Sequence, residues 1–546
     1  MKTVKWDYSA DVVVVGSGAA AYSAAITAKS KGASVIMLEK AEMAGGTTLR
    51  SGGGFWTPNN KFQKEKGIMD LKEDAVKYMA RYSYPQLYNP LDKRLGLGEN
   101  EYELITTYYD TASKMADYLA SINALNMIQE INWKGMPQVD YMDHLAENKG
   151  VRGRVLYSMG SDGKLAYGGE FIRQLKSWAD TNKVLLYLNH RVTKILKNVK
   201  GEVIGLEALK GKKKINIKAK KAVIFGSGGY THNKELMLHF QRGPHFGGCA
   251  APSNTGDFLL MAQEIGANLG NMAGAFRAEI VLEQALEDPN GVHNVFYVMG
   301  DSIIEVNRYG KRIVDEKRNY NDRTMVHFVW DPVRAEWTNM LVFMIYDERT
   351  ATMWQGFPPL PIKGTPASYV IDGATLDELA NNISLRLNQL SSKTGGFRLD
   401  NNFLENLKKT VTQFNDYAVK GVDFEFHRGE FNYDKEWTTF PPTIPGIKWP
   451  EKDSKNYTMH ALSNVGPYHA IILGAGTLDT NGGPIINSKA QILDTHNSPI
   501  PGLYGAGNCV ASPTANAYWG AGSTIGPALT FGYIAALNAV KEKSKK

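Results

Sequence analysis

The sequence predicts an α/β protein: a Rossmann-like dinucleotide-binding domain, interrupted by an inserted α+β domain and completed by the C-terminal part of the chain. Three observations carry this. A βαβ unit with a glycine fingerprint occupies Asp11–Glu39. Short apolar runs ending in glycines recur at Ala222–Gly229 and Gly502–Asn508. Between them, from about Gly274, the pattern changes to short strand-like runs joined by polar turns, as in an α+β domain. The expected parts are residues 1–275 (dinucleotide-binding, first part), 276–445 (inserted) and 446–546 (dinucleotide-binding, return).

In the first unit, Val12 to Val15 is a β-branched run suited to a strand buried on both faces. It leads into Gly16-Ser17-Gly18-Ala19-Ala20-Ala21, a G-x-G-x-x-A turn opening an Ala-rich helix. Gly16 permits the tight turn, Gly18 lets backbone approach a pyrophosphate, and Ala21 lets helix pack close to strand. A second strand, Ala33 to Leu38, ends at Glu39, which is placed for a ribose diol, with Lys40 beside it. This much fits NAD and FAD equally.

The next stretch favours FAD. Gly45-Gly46-Thr47-Thr48 and Ser51-Gly52-Gly53-Gly54 put glycines and hydroxyls directly after the ribose acid, where backbone would wrap a flat polar ligand. A flavin bound in the extended, glutathione-reductase manner needs such a loop. The expected contacts are Gly46, Thr47, Thr48, Ser51, Gly52 and Gly53. Gly228 would join them from the second glycine turn, Gly507 and Asn508 from the third. Ser523, Thr524 and Ile525 would do so at the start of a helix from Pro527 to Lys541, whose free N–H groups would face an electron-rich ligand edge. No His follows Gly46 closely, so the FAD is expected to be noncovalent, and no metal site is expected.

Leu71 to Ile128 has helical periodicity, and Trp133 to Arg154 is an irregular loop holding Tyr141, Asp143 and His144. Lys183 to Lys220 reads as four strands. In the inserted domain, Gly274 onward through FRAEIVLEQALEDPNG, VFYVMG, SIIEVNRYGKRIVDE and MLVFMIYDE reads as strands. Thr375 to Ala418 reads as two helices, the first opened by a Thr N-cap with Glu378 three residues on. YHAIILGAG at Tyr468–Gly476 reads as another strand.

Composition bounds the function. At 546 residues the chain exceeds one core; 43% hydrophobic and 21% charged is an ordinary globular balance. The net charge of +7 comes from scattered Lys, with two runs at Lys210–Lys214 and Lys541–Lys546 that read as solvated. No nucleic-acid signature accompanies them. Cys249 and Cys509 are isolated, with no CxxC or CxxCH, which suits a reducing cytoplasm. No signal peptide or 18-residue apolar span is evident. A cytoplasmic protein, at most peripheral to a membrane, is expected.

Together these residues resemble the fumarate reductase and succinate dehydrogenase flavoprotein superfamily, and within it the 3-ketosteroid Δ1-dehydrogenases. The resemblance rests on the fingerprint, the GGTT…SGGG loop, Gly226–Asn233, Gly482–Asn487, Gly502–Asn508, Asn307–Arg312 with Tyr320, and Tyr518–Gly526. It implies that the Tyr518 hydroxyl and Gly522 N–H hold a steroid C3 carbonyl oxygen. It also implies that Tyr320 takes the C2 proton, helped by Tyr141, while the C1 hydride passes to flavin. The partners implied are a hydrophobic 3-ketosteroid and an electron acceptor, a quinone or an artificial dye. Trp519 and Ala521 stand where that family has prolines, which implies a less rigid loop and a pocket that Trp519 reshapes. Gly520, two after Tyr518, departs from the Y-x-S of the related Δ4-(5α)-dehydrogenases. The alternatives are such a Δ4-(5α)-dehydrogenase, or a fumarate-reductase-like enzyme using Arg308, Arg312, Arg318 and Arg323 for carboxylates. A flavin-binding protein without catalysis is the remaining class.

Overall fold

The computed structural model describes residues 4–545. The first three residues and Lys546, the end of the basic run 541–546, lie outside it. The central sheet runs in the order Gln491–Leu493, Pro499–Gly505, Lys213–Phe225, Tyr8–Val15, Val35–Leu38, Leu185–Tyr187. All its pairings from Pro499–Gly505 to Leu185–Tyr187 are parallel. Val12, Val13 and Val14 are fully buried, as a two-faced parallel strand requires. The strands His190–Lys197 and Val203–Lys210 extend Lys213–Phe225 as an antiparallel flap. Lys210–Lys214 is the exposed hairpin tip of that flap. The C-terminal basic run is less solvated than expected: Lys545 is buried, and its ammonium donates to the Lys221 carbonyl.

Two helices from opposite ends of the chain cover this sheet together. Ala19–Ser30 and Ile525–Ala539 pack against each other, and Ser23 Oγ donates to the Leu529 carbonyl at 2.7 Å. Alanine and glycine make the approach possible. A Cβ on Gly532 would lie 2.4 Å from the Ala20 carbonyl oxygen. Both helix N-termini therefore open on one cleft.

The second sheet is antiparallel: Ile280–Val281, Tyr468–Gly474, Leu341–Asp347, Ile303–Val306, with Val370–Gly373 also on Tyr468–Gly474. Helices Leu376–Gln389 and Phe403–Lys420 cover its apolar face. The Thr375 hydroxyl accepts from Glu378 N–H at 3.2 Å and caps the first. Three expectations change here. Val295–Gly300, read as a strand, forms none. Tyr468–Gly474, read as part of the return from residue 446, lies at the centre of this second sheet; an apolar run suits either sheet, and pairing alone decides. Leu282–Glu287 is a helix, not a strand, because Leu-Glu-Gln-Ala-Leu-Glu consists of strong helix formers. A short ladder, Ala275–Arg277 with Thr477–Thr480, joins the two sheets. No described helix is long and apolar enough to cross a membrane.

Candidate active site

A cleft of about 1010 Å³ lies at the carboxyl ends of the parallel strands, where doubly wound sheets bind ligands. Of the residues expected to contact the cofactor, Gly16, Gly18, Ala19, Ala20, Glu39, Lys40, Gly46, Thr47, Thr48, Ser51, Gly228, Gly507, Asn508, Thr524 and Ile525 line it. Gly52, Gly53 and Ser523 do not. Ser523 instead holds the preceding turn, its hydroxyl donating to Gly520 O and accepting from Gly520 N–H.

The cradle is built from backbone. Gly16 has φ +104°, and a Cβ there would meet the Gly226 carbonyl oxygen at 2.4 Å. Only glycine lets these two turns cross. Gly18 has no side chain to cap the helix after it, and the first turn holds no acid; Ala19 N–H donates to Thr48 Oγ1 at 3.1 Å, and the next N–H groups, of Ala20 and Ala21, are left for an anion such as a pyrophosphate. Glu39 is oriented by Ser17 Oγ at 2.6 Å and Ala41 N–H at 2.8 Å. The donor set and this acid fit the phosphate and ribose of FAD.

Sequence reasoning missed the acid that ties the cradle together. Asp479 is buried and accepts from Gly229 N–H (2.8 Å), Asn254 Nδ2 (2.7 Å), Asn508 Nδ2 (3.2 Å) and Thr231 Oγ1 (2.9 Å). Burial raises its pKa, and these donors oppose the rise. Nothing local marks it, because its partners come from three other segments.

Beyond the cleft, Tyr141, Tyr320 and Tyr518 meet. Tyr141 Oη and Tyr320 Oη are 2.8 Å apart. The Tyr141 ring stacks on Tyr518 at 5.2 Å, and Tyr320 meets Tyr518 edge-on at 5.5 Å. Tyr433, Trp437, Phe276 and Phe296 complete an aromatic box around the three. Burial and the neighbouring Tyr518 push Tyr320 well above the usual tyrosine range, whereas the Tyr141 hydrogen bond favours its anion. Burial also raises Tyr518, opposed by the hydroxyls of Thr524, 3.5 Å away, and Tyr320 and by Gly522 N–H. Gly522 itself has φ +84°, and a Cβ there would lie 2.3 Å from the Gly54 carbonyl oxygen.

Each tyrosine is held by its own device. Tyr320 starts a helix, Tyr320–Arg323, capped by the Asn319 side chain on Asp322 N–H. The Thr324 hydroxyl grips its carbonyl at 2.7 Å. Tyr141 N–H donates to Trp519 O at 3.2 Å, and Arg318 Nη2 donates to Tyr141 O at 2.8 Å. Its neighbour Asp140 accepts from Trp56 Nε1 at 2.7 Å and pairs with Arg154, which also pairs with Asp70 at 2.6 Å. The two carboxyls respond differently: Arg154 holds Asp70 low, whereas burial raises Asp140 despite the same partner.

Trp519 does not reshape the pocket. It is fully buried and wedged against Trp56 and Tyr108, with Nε1 donating to Ser83 Oγ at 2.9 Å. The helices 72–83 and 99–121 thus clamp the Tyr518 loop from behind; Tyr78 Oη donates to Trp519 O at 2.6 Å. Asp143 and His144 turn to Arg318 and residues 431–433. Burial raises Asp143 to about 6; burial and Arg318 lower His144 to about 4. The four arginines that a dicarboxylate site would use are all taken. Arg308 pairs with Glu336, Arg312 with Glu316 and Asp423, Arg318 with Asp434, and Arg323 with Glu279, at 2.6–2.9 Å.

Comparison with known proteins agrees with this geometry. The FAD binding domain family matches residues 11–525. A 4-oxocyclohexanecarboxylate 2-dehydrogenase of Sinomonas cyclohexanicum is 30% identical over 96% of this chain and 92% of its own. A 3-oxosteroid 1-dehydrogenase of Mycolicibacterium smegmatis is 29% identical over 97% of this chain and 96% of its own. In fold, the chain resembles the crystal structure of 3-ketosteroid delta1-dehydrogenase from Sterolibacterium denitrificans in complex with 1,4-androstadiene-3,17-dione. That likeness has a TM-score of 0.80 at 23% identity over 97% of this chain and 99% of the other. The chain belongs to the FAD binding domain family and is an FAD-dependent oxidoreductase related to the 3-oxosteroid 1-dehydrogenases.

Proposed function

We propose that the chain desaturates the carbon–carbon bond beside a ring ketone, the reaction of a 3-ketosteroid Δ1-dehydrogenase. The observation that carries this is the convergence of three tyrosine side chains, with the Tyr141–Tyr320 hydroxyls 2.8 Å apart, around the Tyr518 oxygen and Gly522 N–H. Tyr518 and Gly522 donate to the carbonyl oxygen and stabilise the negative charge that grows there, which acidifies the adjacent carbon (C2 when the ketone is steroid C3). Tyr320 takes that proton, with Tyr141 donating to it. FAD, when bound, supplies the acceptor for the hydride from the next carbon. The aromatic box excludes water from the charged intermediate arrangement. The final electron acceptor is a quinone or, in assay, a dye.

Two other readings fit less well. Reduction of a fumarate-like dicarboxylate needs cations free to bind two carboxylates, and Arg308, Arg312, Arg318 and Arg323 would each have to leave an acid. Δ4-(5α)-dehydrogenation lacks its Y-x-S serine, since Gly520 stands there.

The test supplies androst-4-ene-3,17-dione and, separately, 4-oxocyclohexanecarboxylate with an artificial electron acceptor, and identifies the products. A ring desaturated next to the carbonyl is expected, lost by at least roughly 10²-fold in Tyr518→Phe with flavin absorbance retained. Fumarate reduction by reduced viologen, with neither ketone oxidised, overturns the reading.

A further inference from the structure

The net charge of the molecule sits in one place. From Arg191 to Lys221 the chain carries eleven Lys and Arg against two acids, Glu202 and Glu207, a net of +9. The whole chain is only +7, so everything outside this stretch sums to −2. The stretch is the antiparallel flap with the part of Lys213–Phe225 that carries it. The first eight of its cations, Arg191 through Lys214, are all exposed. Among the described residues only Arg191 and Lys214 form ion pairs, with Asp257 and Glu207. Lys545 N–H donates to the Lys220 carbonyl at 2.6 Å, which brings exposed Lys541 and Lys543 beside the same edge. An ordinary solvated surface intersperses both signs of charge; this one does not.

Strand register shows how the flap presents this charge. Ile195, Leu206 and Ile217 lie opposite one another and are buried. The alternate positions face outward: Lys194 opposite Glu207, Leu209 opposite Lys214, and Gly205 between Leu196 and Lys218. Gly205 makes room there for an indole, since a Cβ on it would lie 2.7 Å from the Trp6 ring. Asn216 holds that segment in place. Its N–H donates to Asp7 Oδ2 at 2.8 Å and its Nδ2 to the Lys5 carbonyl at 2.9 Å. Half-buried Trp6, Leu196 and Leu209 thus form an apolar strip among the lysines. In the same flap, buried Val192 faces the other way and lines the cofactor cleft.

We propose that this outer face docks the protein on an anionic lipid surface, with the lysines over the headgroup phosphates and Trp6 at their level. Three features select lipid among polyanions. Ten of the eleven cations are lysine, a mobile point charge that suits a diffuse plane of charge, whereas a fixed phosphate site favours the arginine fork. No Phe, Tyr or Trp occurs from 191 to 221, and the one indole present packs on the sheet, so no ring stands free to stack a base. An apolar strip with an indole suits the headgroup boundary, where one edge of the ring stays wet. The protein would lie on the bilayer rather than cross it, held by clustered lysines of the number that anionic lipid attracts.

The experiment sediments the holoenzyme with vesicles of phosphatidylcholine alone and of phosphatidylcholine mixed with phosphatidylglycerol. Binding is expected only with the anionic lipid, and it should be lost at about 1 M salt, where the screening length falls to ~3 Å. Each lysine at the surface contributes about fivefold to the partition ratio. Combining Lys194→Gln, Lys212→Gln, Lys213→Gln and Lys218→Gln should therefore lower it by at least roughly 10²-fold, with flavin content and turnover with a soluble dye unchanged. Trp6→Ala should lower it by a smaller factor. If the fourfold variant loses flavin, Lys212→Gln with Lys213→Gln at the hairpin tip takes its place, with a loss of roughly 25-fold expected. Equal sedimentation with both lipids, none with either, or a variant that binds as well as the parent overturns the proposal. Binding of single-stranded DNA or polyglutamate without any vesicle binding also overturns it, and assigns the face to another polyanion. Ketone oxidation is measured apart from all of these, so either reading can fail without the other.

Discussion

The cofactor cradle and the tyrosine box touch each other but are built on opposite plans. The cradle is mainly backbone: glycine turns, helix N-termini and two buried acids, Glu39 and Asp479, whose donors fix the loops. The box is side chain: three phenols from segments 141, 320 and 518, each set by hydrogen bonds to its own main chain or neighbours. A backbone site fails where a Cβ cannot fit. A side-chain site fails when its supports are removed, even with every reacting group in place.

The sharpest way to break that contrast is Gly16→Val. A Cβ there collides with Gly226 at 2.4 Å and the residue would need positive φ, so the crossing turns must separate. Acid-released flavin per chain should fall to background, and reconstitution with added FAD should fail. Retained flavin would mean that the cradle tolerates a shift we take to be closed to it.

Next comes Arg154→Met, which leaves Asp70 and Asp140 buried without their cation. The expected cost is about 3–5 kcal/mol of stability, read from denaturant midpoints. The pH sense follows from Asp70, whose folded pKa lies below its usual value. Its contribution in the parent chain is present above the unfolded pKa and is lost as pH falls through the folded one. The difference between parent and variant should therefore shrink on acidification. A variant as stable as the parent would show that Tyr141 is supported by packing alone.

The smallest effect tests the box directly. Burial and Tyr518 hold Tyr320 above the usual tyrosine range, so a base that must be ionised gives a rate that climbs through alkaline pH. Tyr141→Phe removes the donor that favours the anion. Its rising limb should move to higher pH, with roughly 10- to 100-fold less turnover at neutral pH and unchanged flavin content. A limb that stays in place would assign the proton to another group.

These plans also decide what could be read in advance. The fingerprint was legible because strand, glycine turn, helix and Glu39 are contiguous and each obeys a local steric rule. Tyr518 and Gly522 lie in one short motif before a helix. Tyr141 was one of three candidates in an irregular loop, and Tyr320 came only through family resemblance; nothing near either predicts that their oxygens lie 2.8 Å apart. Asp479 was invisible, because a buried charge shows its meaning only through partners drawn from distant segments. Tyr468–Gly474 was recognised as a strand but placed in the wrong sheet, since an apolar run records burial and not its neighbour. Gly52, Gly53 and Ser523, expected beside the cofactor, lie outside the residues that line the cleft.

Trp519 carries a consequence of its own. A proline stiffens a loop in the unfolded chain as much as in the folded one, because its restraint is covalent. The restraint here is an indole set between Trp56 and Tyr108 and tied to Ser83, and it exists only while that core exists. The donors that Tyr518 and Gly522 offer a ketone are therefore thermally coupled to the helices behind them. On warming, catalytic competence and global folding should be lost in a single transition rather than in sequence.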